Sequence, residues 1–250
     1  MVIEEAIISP FPANNQGIRS SSGEFILLLN SDAFLNLSAV TILLDYMKNH
    51  PDTAICGPQL LYENQSWQRC YGSFPSPRTS FLDAVGLTFL LHFGRRISWD
   101  LFKKSLKPDT VDYVDGACML IRKQLIREIG DLDEGFFFFC EDVEFCLRAH
   151  RAGWKIVYIP TSQVVHLRGG SSSKEGLERV AKFKYHSIRK LVLAEYGQKG
   201  WKRYRFWAIQ NFRFRYYFTN FGEKIGLHIG IKTLAYKITL SVFAKEDDER

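Results

Sequence analysis

The sequence contains no run of about 18 uncharged apolar residues, the length that would mark a membrane-spanning helix. Its start does not read as a secretory leader. Met1 to Ile8 is short and carries Glu4 and Glu5 where a basic segment would stand. Cysteine is scarce. The five residues Cys56, Cys70, Cys118, Cys140 and Cys146 are odd in number and form no C-x-x-C pair. That argues against a disulfide framework or a zinc site and for a reducing compartment. Internal repeats and low-complexity stretches are absent as well. These absences leave an ordinary globular chain.

Its 250 residues are 46% hydrophobic, enough for one α/β domain and a small appendage. Aromatic content is high at 14%, and the net charge of +6 is unevenly spread. From Lys174 to Arg215 there are twelve Lys or Arg against three Glu, a balance that suits phosphates or an acidic lipid surface. A solvated basic face would give the same count.

Val2 to Ser9 reads as a strand, followed by a loop through Pro10, Pro12, Asn14 and Asn15. A helix is expected over Gln16 to Ser22, ending at Gly23. The run Glu24 to Leu29, closed by Asn30-Ser31-Asp32, is apolar after its first residue and without alternation, as in a strand buried on both faces of a parallel sheet. Ser38 can cap a helix running to Asn49. Thr53 to Cys56 reads as a second buried strand, closed by Gly57-Pro58. Residues 60–108 look irregular, with a helical piece near Phe81 to Leu91. Val111 to Leu120 reads as a strand interrupted at Gly116-Ala117, and Lys123 to Ile129 as a helix ending at Gly130. A helix over Glu141 to Ala152 has Gly153 as its C′ residue. Lys155 to Ile159 and Gln163 to Leu167 read as strands on either side of Pro160, and the chain from Lys174 is helical and basic. Strands alternating with helices give an α/β class with a mostly parallel sheet.

Three places carry chemistry. Asp32 follows a buried strand, where open α/β sheets bind ligands. Beside Asn30 and Ser31 it offers hard oxygen ligands to Mg2+ or Mn2+ shared with a diphosphate; it could equally cap a turn. Glu141-Asp142 opens a helix after four phenylalanines. Apolar packing raises a carboxylate pKa while a helix N-terminus lowers it, so catalysis by proton abstraction and plain helix capping both stand open. Glu144 and Arg148 are spaced to pair along that helix. His166 precedes Arg168-Gly169-Gly170-Ser171-Ser172-Ser173. This loop could hold phosphate oxygens, with the imidazole on the same metal, or it could be a flexible turn after a half-buried histidine.

In combination these segments resemble glycosyltransferase family 2, and within it the rhamnosyltransferase-like bacterial enzymes. The resemblance is carried by Asn14 to Ile18 with Gly23 to Asp32, by Gly116 to Arg122, and by Gly130 to Glu134 with Phe136-Phe137. Glu141 to Arg148, Gly153-Trp154 and His166 with its Gly/Ser loop complete it. Only the last position of the family's acid-x-acid pattern, Asp32, is acidic, with Asn30 in the first place. The resemblance implies a GT-A type fold: a mostly parallel sheet flanked by helices in a catalytic domain over residues 1–173. A basic, aromatic helical appendage would follow over 174–250. It also implies that the segment holding the nucleotide base precedes Ile7-Ile8-Ser9, so that this chain lacks about the first quarter of the catalytic domain.

The implied chemistry is a single displacement with inversion. Asp142, or its neighbour Glu141, is the base. Asp32 and His166 would hold Mg2+ or Mn2+; Asn30, Asp32, Arg168 and Ser171 would face the donor, and Gly116, Ala117 and Trp154 the acceptor. The donor would be a nucleoside-diphosphate sugar, dTDP-rhamnose or a UDP-sugar, and the acceptor a glycan or polyprenyl-linked chain in cell-surface polysaccharide synthesis. Aromatic and basic residues interleaved from Trp201 to Tyr217 suit a membrane headgroup zone, placing the protein in the cytoplasm at the inner face of the cell membrane. Packing of the tail on the catalytic domain is the alternative. The same interleaving suits RNA, but no RNA-binding motif accompanies it, so no nucleic-acid partner is expected. A different class of reading is an inactive relic or a non-catalytic subunit of a transferase complex.

Overall fold

The computed structural model describes residues 10–102, 106–136, 139–167, 174–226 and 230–245. The strand expected over Val2 to Ser9 lies outside these residues, as do Arg168 and Ser171. The chain forms two compact units, Met1–Phe74 with Arg96–Arg168, and Pro75–Arg95 with Gly169–Arg250. The second unit therefore takes in a segment, 75–95, that the sequence reading left in the catalytic domain.

The first unit is built on a six-stranded sheet. In chain order its elements are α1 (Pro10–Ser20), β1 (Phe25–Leu29), β2 (Ala33–Phe34), α2 (Leu37–Asn49) and β3 (Thr53–Leu61). Further along come β4 (Tyr71–Gly72), β5 (Asp109–Thr110), β6 (Tyr113–Val114), β7 (Cys118–Arg122), α5 (Lys123–Ile129), α6 (Glu141–Arg151) and β8 (Lys155–His166). The main order is β1-β7-β3-β8-β2, with β5 also on β8 and a separate β4–β6 pair. β3 pairs with β8 in parallel, while β7 lies antiparallel to both β1 and β3. Thus β1, β3 and β8 all run the same way, the parallel core that the apolar runs predicted, and β7, β2 and β5 run against it. The sheet is mixed because β7 reaches its place between β1 and β3 from the opposite end.

Several boundaries differ from expectation. α1 starts at Pro10 instead of Gln16. A proline in a first helical turn loses no hydrogen bond, since those N–H groups have no partner within the helix. α1 is tied to the rest by Asn15, which is buried: its amide donates to Leu132 O at 3.0 Å and accepts from Leu132 N at 3.1 Å. The cap of α2 is Asn36, not Ser38; Asn36 Oδ1 accepts from Ala39 N at 2.8 Å. β3 does not stop at Gly57-Pro58 but runs to Leu61, and all nine of its residues are buried. Gly57 is needed there for packing, because a Cβ would come within 2.8 Å of Val114 Cβ. β8 likewise continues through Pro160. The register jumps from Pro58↔Ile159 to Gln59↔Gln163, so residues 160–162 bulge out of the ladder and no hydrogen bond is asked of the proline.

The second unit contains α3 (Pro77–Ala84), the first part of α4 (Leu87–Phe102), α7 (Lys174–Lys224) and α8 (Gly230–Lys245). α3 and α4 stand where one helical piece near Phe81 to Leu91 was expected in otherwise irregular chain, and together they reach further on both sides. Pro77 at the helix start and a reciprocal Ser76–Thr79 capping box explain why α3 begins there. α3 joins this unit because Phe81 meets Trp207 edge-on at 4.8 Å and Ser80 Oγ donates to Tyr204 O at 2.9 Å. α7 is broken at Gly197, whose φ of 62° is left-handed. The core gathers Tyr185, Val192, Trp201, Ile238, Val242 and Phe243, with the Tyr185 ring edge-on to Trp201 at 5.5 Å. Trp201, expected at a headgroup surface, is therefore the buried centre of this unit. Exposed rings remain at Phe206, Phe214, Tyr217, Phe218 and Phe221.

Candidate active site

The residues with chemistry meet at one end of the sheet, where β1, β3 and β8 finish and β7 begins. Asn30 N donates to Ala117 O at 3.0 Å, and Leu167 N to Asp32 O at 3.0 Å. β2 pairs Ala33 with His166. These backbone bonds bring the strand end at Asn30–Asp32, the turn at 115–117 and the end of β8 into one neighbourhood.

On one side stands a pair of metal-type ligands. His166 Nε2 lies 3.1 Å from Asp32 Oδ1; the imidazole is nearly buried and the carboxylate half-exposed. The far ring nitrogen, Nδ1, bonds Gln68 Oε1 at 2.9 Å. A carboxylate oxygen and an imidazole nitrogen facing each other fit a divalent cation whose other positions are filled by phosphate and water oxygens. Among the described residues no group of three or more His, Cys, Asp and Glu could hold a metal by itself. The donor set therefore suits a metal shared with a ligand, not a closed structural site.

On the other side stands a carboxylate cluster. α6 starts abruptly. Phe139 and Cys140 both take left-handed φ, 71° and 66°, and Cys140 supplies no side-chain cap. Consecutive non-glycine residues in this region store strain of about 1 kcal/mol or more each, a cost met most often at functional sites. It turns the chain so that Asp142 faces the 115–117 turn. Asp142 Oδ2 accepts Gly116 N–H at 2.9 Å, and Oδ1 accepts Val143 N–H at 2.8 Å. A Cβ on Gly116 would lie 3.3 Å from Asp142 Cβ, which makes glycine the natural residue for this approach. Asp115 shapes the turn: its Oδ1 accepts Ala117 N–H at 3.0 Å.

Burial and the nearby Asp115 carboxylate push the Asp142 carboxyl up to about 7, against the lowering effect of the Gly116 and Val143 N–H groups. Burial, then Asp142 and Asp115, push Glu141 to about 8. Desolvation outweighs the backbone N–H bonds at the helix start, so both carboxyls are raised. Glu141 Oε2 is buried without a hydrogen-bond partner among the described residues. Carboxylates titrating near neutrality and bonded to fixed N–H groups can take up a proton from a substrate hydroxyl. One turn on, Glu144 accepts two bonds from Arg148, at 2.6 and 2.9 Å, and Arg148 also donates to Ile129 O and Asp131 O. This arginine anchors α6 from behind.

No disulfide forms among the described residues, and burial drives the thiols of Cys56, Cys70, Cys118 and Cys146 upward, away from the reactive thiolate. The structure thus brings together Asn30, Asp32 and His166, and likewise Gly116, Ala117, Glu141 and Asp142. It does not bring Trp154 to them. Trp154 follows the opposite end of α6, roughly 15 Å along the helix at 1.5 Å per residue, and its Nε1 donates to Glu128 at 2.8 Å. That residue closes the helix packing at the far end. Two polar residues escaped the sequence reading. Asp115 sat inside an expected strand, and Gln68 in a stretch read as irregular. Asp115 showed only as a polar side chain after Tyr113-Val114, and Gln68, between Trp67 and Arg69, stood in a polar stretch that gave no such trace.

A family model described as glycosyltransferase like family 2 matches residues 11–182. The N-acetylglucosaminyl-diphospho-decaprenol L-rhamnosyltransferase of Mycobacterium tuberculosis is 25% identical over 191 residues, covering 75% of this chain and 60% of that protein. The rhamnosyltransferase WbbL of Escherichia coli K12 is 24% identical over 151 residues, covering 59% of this chain and 54% of that protein. The low-salt glycan biosynthesis hexosyltransferase Agl10 of Haloferax volcanii is 30% identical over 162 residues, covering 61% and 47%. The chain thus spans about half to 60% of the length of these curated relatives. Among solved structures, the mannosyltransferase PcManGT from Pyrobaculum calidifontis, in complex with GDP-Man and Mn2+, overlays with a TM-score of 0.53 at 12% identity. That overlay covers 95% of this chain and 67% of that one, a likeness of fold. The fold class is the GT-A type.

Proposed function

Because the chain belongs to the glycosyltransferase-like family 2, we propose that it carries the acceptor side and the metal-binding part of an inverting sugar-nucleotide transferase. The observation that carries this reading is the meeting of two sets at one sheet end: Asp32 with His166, and Asp142 with the Gly116 N–H. In this reading Asp142 Oδ accepts the proton of an acceptor hydroxyl. The freed oxygen attacks the sugar C1 from the face opposite the diphosphate. The C1–O bond to the diphosphate breaks with inversion, and the nucleoside diphosphate leaves. A bound Mg2+ or Mn2+, held by Asp32 and His166, would neutralise charge on that leaving group. Gly116 N–H keeps the base oriented, and the apolar surroundings keep its pKa close to working pH. Arg168 and Ser171 belong to the donor side of the proposal; Gly116 and Ala117, through their backbone, belong to the acceptor side.

The rhamnosyltransferases among the relatives make a rhamnose donor such as dTDP-rhamnose the first sugar nucleotide to try, with UDP-sugars next, and a lipid-linked glycan the first acceptor. A membrane setting is supported by α7. Phe214, Tyr217, Phe218 and Phe221 lie exposed at helical spacing, with Arg213 and Lys224 exposed beside them and Ile225 exposed just past the helix end. Rings and cations on one helix face suit an anionic lipid interface at the cytoplasmic side. Among the described residues no helix is long and apolar enough to cross a membrane.

Calorimetric titration with dTDP and UDP, with and without Mn2+, on the wild-type chain and on Asp32→Ala, tests the reading. Mn2+-dependent binding that Asp32→Ala weakens at least tenfold is the expected result. Nucleotide binding indifferent to both Mn2+ and Asp32 would refute the metal assignment.

A further inference from the structure

The site is backed by a chain of buried polar groups, of which only His166 enters the proposed transfer. Gln59, Gln68 and His166 are 0%, 1% and 7% exposed. Tyr158 OH donates to Gln59 Oε1 at 2.5 Å, and Gln59 Nε2 donates to Gln68 O at 2.6 Å. Gln68 N donates to Leu60 O at 3.0 Å. Gln68 Nε2 then donates to His166 O at 3.2 Å, and Gln68 Oε1 meets His166 Nδ1 at 2.9 Å. The residues arrive there by topology. After β3 the chain turns back, with Leu61 bridged to Trp67, while β8 runs parallel to β3 with Leu61 opposite Val165. Gln68 is thereby brought beside the last residue of β8.

Donor and acceptor rules fix the protons in this chain. A backbone carbonyl only accepts, so the amide nitrogen of Gln68 must face His166 O. The amide oxygen therefore faces Nδ1, and an oxygen of this kind also only accepts. Nδ1 must then carry the ring proton. In a neutral imidazole that leaves a lone pair on Nε2, directed at Asp32 Oδ1 3.1 Å away. A proton or a divalent cation between the two would hold them at this distance. We infer that Gln68 is a positioning residue that holds His166 as the Nδ1–H tautomer, so that the Nε2 lone pair is presented next to Asp32 to a divalent cation. The inference rests on the proposed metal role of Asp32 and His166 and deepens it. Outer partners of this kind fix ring orientation at metal-binding histidines and typically change metal affinity 10- to 100-fold when removed.

Nitrogen-15 NMR of the metal-free chain near pH 8, where an ordinary imidazole is neutral, reads the tautomer directly, with His166→Gln identifying the signal. Gln68→Met removes the acceptor at similar size, and Gln68→Glu keeps an acceptor. The Nδ1–H pattern is expected in wild type and in Gln68→Glu and lost in Gln68→Met. Mn2+ affinity in the presence of dTDP or UDP should fall about 10- to 100-fold in Gln68→Met, and less in Gln68→Glu. An Nε2–H pattern in wild type overturns the inference, whatever the variants do. So does a Gln68→Met chain with unchanged tautomer and unchanged Mn2+ affinity. A tautomer that depends on Gln68 in a chain without Mn2+ affinity upholds the positioning and overturns the metal reading.

Discussion

Replacing Asp142 by Asn should stabilise the folded chain at neutral pH while destroying its activity. The Asp142 carboxyl rises from an ordinary 3.8 to about 7 on folding, chiefly through burial and next through Asp115. A raised acid binds more protons in the folded state than in the unfolded one between those two values. The stability this carboxyl contributes is therefore fully present below about pH 4 and is lost as pH rises through about 7. About three units at ~1.4 kcal/mol each make a cost of ~4 kcal/mol at pH 8. Asn escapes this cost but cannot accept both the Gly116 and the Val143 N–H, a loss of ~1 kcal/mol. Urea unfolding of Asp142→Asn against wild type should thus show a difference near −1 kcal/mol at pH 4, rising to about +3 kcal/mol at pH 8. Transfer activity should drop about 10²- to 10⁴-fold in parallel, the range for removing a general base. A difference in stability that does not change with pH would refute the account of Asp142 as a desolvated carboxylate. Full activity in a folded variant would remove it as the base.

Asp115→Asn takes away the charge that helps raise Asp142, so the acid limb of the pH–rate profile should move to lower pH; an unmoved limb denies the coupling. Gly57→Ala should cost about 1–3 kcal/mol by overpacking against Val114, with Val114→Ala restoring much of it, as chemical denaturation of the single and double variants will tell. Exchanging Phe218 and Phe221 for Ser should weaken co-sedimentation with vesicles containing about one-third anionic phospholipid by tenfold or more and leave thermal stability nearly unchanged, because both rings are already exposed. Equal sedimentation would leave α7 without a lipid role.

What the sequence by itself determined is what neighbours along the chain decide. The apolar run Phe25–Leu29 became a strand, α5 ended at Gly130 and α6 at Ala152 before Gly153, and Glu144 paired with Arg148 one turn on. Each rests on contacts within a few residues, where spacing is enough. The candidate site was half legible for the same reason: Asp32, the 141–142 pair and His166 each stand at the end of a local element. Tertiary structure alone decided the rest. β3 continues through Gly57-Pro58 because Val114 leaves room only for glycine and β8 bulges at Pro160. Trp154 falls at the far end of α6, and Trp201 is buried against Tyr185 and Phe243 instead of facing outward. Asp115 and Gln68 gain their roles from partners 27 and 98 residues away, Asp142 and His166. A side chain's neighbour at that separation is set by strand order and register. These emerge from packing the whole core and leave no periodic mark on the sequence near either residue.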